Sequence, residues 1–131
     1  MKKILLFCIL ILSYSSAFTQ TNNKFNIIGS WKGIDQTNQI GYMKFIDSSH
    51  VIINIPGMEE LKSTYTLDLN KEPALIDIFI NIDNFSKKLP GFLMIVDANT
   101  FKWQTFFNSE RPEVPVEENA DNTVAFRRVN E

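Results

Sequence analysis

Leu61-Lys62-Ser63-Thr64-Tyr65-Thr66-Leu67-Asp68-Leu69, followed by Asn70-Lys71-Glu72-Pro73 and then Ala74-Leu75-Ile76-Asp77-Ile78-Phe79-Ile80-Asn81-Ile82, is the stretch that decides the fold. Both outer segments alternate in side-chain character with a period of two, and turn-forming residues separate them, which is the pattern of a hairpin. Pairing Leu69 with Ala74 sets Leu67 against Ile76, Tyr65 against Ile78 and Leu61 against Ile82. The opposite face then carries Lys62, Thr64, Thr66 and Asp68 against Phe79, Asp77 and Leu75. One face is apolar and the other largely polar. A slip of one residue would scramble that separation, so the register is strongly specified.

Working outward, short apolar runs broken by turn residues recur along the chain with little helical periodicity. They predict eight strands at residues 27–34, 40–46, 50–56, 61–69, 74–82, 91–97, 100–107 and 123–129. Residues 83–89 are expected to form one helical turn. Across Asp47-Ser48-Ser49 the cleaner inner face pairs Phe45 with Val51 and Met43 with Ile53. Across Asp97-Ala98-Asn99-Thr100 the same test pairs Val96 with Phe101, Met94 with Trp103 and Phe92 with Thr105. Consecutive hairpins without long crossovers make an all-β, eight-stranded, up-and-down antiparallel β-barrel, whose closure removes exposed edges. Phe45, Tyr65, Phe92, Met94, Phe101 and Trp103 are the candidate ligand-lining residues on the inner face. The same rings can instead fill the interior, because eight strands enclose just enough room for side chains or one small ligand.

Of the 131 residues, the first nineteen read as a secretory leader: Lys2 and Lys3, an apolar run over residues 4–12, then small residues with cleavage after Ala17 or Thr19. That run is far short of the ~20 residues of a membrane span. An exported protein, periplasmic or extracellular, is expected, with one domain over residues 20–131 and a monomeric state. Removing the leader takes away Cys8, so no disulfide can staple the domain and burial must stabilise it. It also lowers Lys+Arg from 13 to 11 against 15 acidic residues, a formal −4, which argues against nucleic acid as a partner.

Few residues carry chemistry. His50 stands alone beside a serine turn, without a second nitrogen ligand or a nucleophile, and reads as a surface residue. Asp68 and Asp77 fall on the polar face of neighbouring strands, where Asp77 opposite Thr66 predicts a cross-strand hydrogen bond. Glu59-Glu60 lies in a loop. None of these forms a catalytic pair in an apolar recess, so no enzyme activity, metal or cofactor is expected. Residues 108–122 lack a strand pattern but hold Arg111-Pro112-Glu113-Val114-Pro115-Val116; their length predicts either a contact loop folded over the barrel mouth or a mobile acidic loop.

Gly29-Ser30-Trp31 at the start of the first strand resembles the Gly-x-Trp motif of the lipocalins, in which an arginine of the last strand packs over the tryptophan and closes one barrel end. Phe126-Arg127-Arg128-Val129 supplies that arginine here, with Arg128 the better match and Arg127 the alternative. Thr64-Tyr65-Thr66-Leu67-Asp68, Pro73, Ile76-Asp77, Arg111-Pro112 and Arg128 extend the likeness to the lipocalin-like domains of small secreted bacterial proteins, over nearly all of residues 20–131. The resemblance implies a non-enzymatic barrel with Gly29, Trp31 and Arg128 as closure residues. The leading expectation is a small apolar ligand bound in or at the mouth of the barrel. The alternative is a protein-binding barrel with a filled interior, such as an inhibitor of a secreted protease.

Overall fold

The computed structural model describes residues 24–35, 38, 40–107, 109–116 and 121–130; the leader expected over residues 1–19 lies outside them. The strands are β1 (Gly29–Ile34), β2 (Ile40–Phe45), β3 (His50–Asn54), β4 (Leu61–Asp68), β5 (Ala74–Ile82), β6 (Phe85–Asp97), β7 (Thr100–Thr105) and β8 (Thr123–Arg128). Each pairs antiparallel with the next, and β8 returns to β1, so the sheet closes as the alternation requires. The deciding hairpin keeps its expected register: Tyr65 faces Ile78, Leu67 faces Ile76, and Thr66 faces Asp77. β2 and β3 likewise pair Met43 with Ile53 and Phe45 with Val51.

Two local expectations are corrected. Residues 83–89 are not a helical turn. Asp83, at φ 47°, and Asn84 form a two-residue hairpin connection, with Asn81 opposite Ser86 and Ile82 opposite Phe85. Asp tolerates the left-handed backbone found at position 83, and positive φ at the first turn residue suits the twist of the flanking strands. β6 therefore starts at Phe85 and runs for 13 residues. The second correction lies at the other end of β6. Asp97 pairs with Thr100, but an irregularity between Ile95 and Asp97 shifts the ladder by one, so Ile95 faces Phe101, Leu93 faces Trp103 and Gly91 faces Thr105. An extra residue in one strand turns every later side chain to the other face. Phe92 and Met94 consequently point away from the interior, and Leu93 joins the core.

The connections after β2, β4 and β6 share one end of the barrel with the chain entering β1, and the connections after β1, β3, β5 and β7 share the other. The first end is closed and packed. Trp31 is fully buried, its indole donates from Nε1 to the carbonyl of Ile27 at 2.8 Å, and its ring meets Phe101 edge-on at 4.6 Å. Phe101 stacks on Phe126 at 5.2 Å, Phe45 meets Tyr65 at 4.9 Å, and Phe25 leans on both Trp31 and Phe101. Ile76, Ile78, Leu93 and Val51 fill between the rings. Burial of this kind contributes ~25 cal/mol per Å² of apolar area, which offsets the absence of any disulfide.

Candidate functional site

Closure of the packed end depends on Arg128. Its guanidinium lies 4.2 Å from the Trp31 ring, where the ring's negative face attracts the cation. The same group donates from Nη1 to the carbonyl of Ile28 at 2.8 Å, from Nη2 to the carbonyls of Asn26 and Ala98, and from Nε to Asn99 Oδ1. Gly29, at φ +127°, adopts backbone that side chains rarely tolerate, and a Cβ there would come within 3.0 Å of Arg128 Nη1. Arg127 alternates to the outside. Tyr65 is also committed at this end, its hydroxyl donating to the carbonyl of Asp47 at 2.6 Å. Burial raises its pKa, with Asp47 adding to the effect.

The mouth is different. On the inward side of β1 and β2, Gly33 stands directly opposite Gly41, so two neighbouring positions have no side chain. The Phe126 ring occupies the space over Gly33, where a Cβ would fall 2.5 Å from a ring carbon. Nothing lies within 4 Å of the Cβ position at Gly41. The result is a cup of about 160 Å³ lined inwardly by Gly33, Gly41, Met43, Ile53, Ile55, Trp103, Val124 and Phe126, with Asp35, Ile40 and Tyr42 at its edge. That is about the volume of a dry apolar cavity able to hold benzene, and well below the ~300 Å³ of a pocket for a drug-sized ligand. A larger depression of about 470 Å³ lies at the packed end, between the β4–β5 turn and Leu93, Met94, Ile95 and Pro115, and one of about 370 Å³ lies on the outer wall beside Lys44 and Glu60.

The six candidate lining residues therefore divide. Trp103 lines the cup. Phe45, Tyr65 and Phe101 are buried in the packed half and belong to its core. Phe92 and Met94 are on the outer wall. Met43, Ile53, Ile55, Val124 and the Gly33–Gly41 pair complete the cup. The two glycines were the available signal for it, as paired inward positions without bulk.

Phe92 is nonetheless buried, because residues 106–107 and 109–116 lie across the outside of β5, β6 and β7 as a strap rather than over the mouth. Phe106 meets Phe92 edge-on at 5.9 Å, and the Arg111 guanidinium lies over the same ring. Arg111 Nη1 donates to Asp77 at 2.8 Å and to the carbonyl of Gly91 at 3.3 Å. Asp77 thus pairs with Arg111, and with Lys88 at 3.8 Å. The fully buried Gln104 accepts from the Val116 N–H at 3.0 Å and donates to the Val116 carbonyl and to Thr123 Oγ1.

Three inward-phase polar atoms, Ser63 Oγ, Trp103 Nε1 and Thr105 Oγ1, are buried without a hydrogen-bond partner in the protein. His50 is exposed on the β2–β3 turn, with its Nδ1 at 2.9 Å from Asp47. Among the described residues no three His, Cys, Asp or Glu side chains gather in a way that could hold a metal ion, and no helix is long and apolar enough to cross a membrane.

Comparison with protein-family models, with curated proteins and with solved structures gave no match for this chain.

Proposed function

We propose that this is an exported, non-enzymatic, lipocalin-like binding protein that takes a small apolar group at the mouth of its barrel. The observation that carries the reading is the open space over Gly41, in a chain whose interior is otherwise packed with rings. An apolar surface that faces a space of benzene size gains little from water and gains dispersion contacts from a fitting occupant. Long fatty acids, isoprenoids and haem exceed that space. Titration with toluene, followed by calorimetry and by Trp103 emission, should give a saturable response. Gly41→Leu should abolish it with little loss of thermal stability, since a Cβ there meets nothing within 4 Å. Unchanged toluene binding by that variant would refute the assignment.

A second reading keeps the same mouth and changes the occupant. Ile34, Ile40, Ile55, Met58, Ile82, Phe85 and Phe107 are exposed around it, forming the apolar rim of a protein contact in which a partner side chain fills the cup. Paired Phe85→Ser and Met58→Ser substitutions would weaken such a complex while leaving toluene affinity intact.

A further inference from the structure

The mouth has a charge as well as a shape. The inward phase of β1 runs Trp31, Gly33 and, one step beyond the strand's last residue, Asp35. Among the described residues lining the cup, Asp35 is the one with a carboxylate side chain, and it stands at the lip. It also has an interaction of its own within the protein. Deeper in, the walls include the rings of Trp103 and Phe126 beside aliphatic Met43, Ile53 and Val124. Lys87, the basic residue in inward phase on β6, is directed onto the Phe107 ring at 3.6 Å. Aromatic faces attract a cation whose solvation shell is weak, and a carboxylate at the rim adds a directed attraction.

We infer that the occupant of the cup is an organic cation, an ammonium carrying small apolar substituents, with those substituents against Trp103 and Phe126 and the charge beside Asp35. The inference rests on the binding reading above and deepens it. A trimethylammonium head is comparable in bulk to a benzene ring, which is the size the cup accepts. It buries methyl groups as toluene would, yet it keeps a positive charge that a hydrocarbon lacks. The formal −4 of residues 20–131 further raises the local concentration of cations.

Choline and 3,3-dimethylbutan-1-ol provide the test, because they share a shape and differ in the central atom and its charge. Calorimetric titration of the wild-type protein should show choline binding about tenfold tighter than the neutral alcohol. Asp35→Asn should cut the preference for choline severalfold while leaving the affinity of the alcohol unchanged. In wild type, added salt should weaken choline and spare the alcohol. Choline bound no better than the alcohol, or a preference that neither Asp35→Asn nor high salt diminishes, would overturn the inference while leaving the apolar cup in place. Binding of neither probe, nor of toluene, would remove the binding reading itself. Should Asp35→Asn fail to fold, the salt dependence in wild type decides alone: a preference insensitive to salt would be evidence against the inference.

Discussion

Arg128 shows how one side chain closes a barrel end. Its guanidinium meets the carbonyls of Ile28, Asn26 and Ala98 while its face covers Trp31, so the segment before β1, the β6–β7 turn and the last strand are held at one point. Trp31→Ala should cost about 3–5 kcal/mol, the range for deleting a buried ring. Arg128→Ala should cost less, and a double-mutant cycle in urea should return a coupling of about 0.5–2 kcal/mol. Strictly additive losses would show that the contact carries no energy. Asp47 makes a pH-dependent contribution of a different kind. The Ser49 N–H, and then the His50 side chain, stabilise its carboxylate and lower its pKa from 3.8 to about 2. A depressed carboxylate pKa favours the fold above pH 3.8, and that contribution is lost as pH falls through about 2. Thermal midpoints of wild type and Asp47→Asn should therefore differ at pH 6, converge as pH falls from 4 toward 2 and coincide only below about 2. The closure pair was legible in the sequence through the likeness of Gly29-Ser30-Trp31 and the final arginines to the lipocalin motif. The inward identity of Leu93 was not, because Phe92 and Met94 are as apolar as Leu93 and Ile95, and alternation cannot choose between two apolar phases.

At the scale of elements, the strap is the feature that local pattern conceals. Its length and two prolines mark residues 108–122 as unusual, but Asp77 lies 34 positions from Arg111, and no periodicity connects them. The amide of Gln104 acts as one more rung of the sheet, giving Val116 a donor and an acceptor where no strand is available. Gln104→Leu should keep the bulk, leave both Val116 backbone groups without these bonds, and cost about 1–3 kcal/mol. Hydrogen exchange at the Val116 amide should accelerate. Toluene affinity should not move, since the strap lies on the outer wall and the cup opens at the mouth. A matching fall in toluene affinity would mean that strap and cup are coupled through β7, which supplies both Gln104 and Trp103. β6 carries the complementary lesson. Its first six residues were invisible as strand because Asp83-Asn84 resembles a loop opening, whereas with Asp83 in left-handed backbone it is the tightest connection between two strands.

For the molecule as a whole, the closing ladder between β1 and β8 contains four residue pairs, from Trp31 with Arg128 to Ile34 with Ala125. The β5–β6 ladder contains nine, joined by a two-residue turn. A sheet whose first and last strands are neighbours is a ring in which the covalent break occupies one of eight equivalent gaps. Joining the segment before β1 to the segment after β8 through a short linker, and cutting between Asp83 and Asn84, should yield a circular permutant with the same barrel. Its near-ultraviolet dichroism and Trp103 emission should match those of the parent. Its kinetics should not match. The cut turns the nine-pair ladder into the contact most distant along the chain and the four-pair ladder into a local one. Mean sequence separation rises and refolding should slow, at nearly unchanged native contacts. The parent chain thus has its break at a thinly paired gap, and seven of its eight strand pairings join neighbours in sequence.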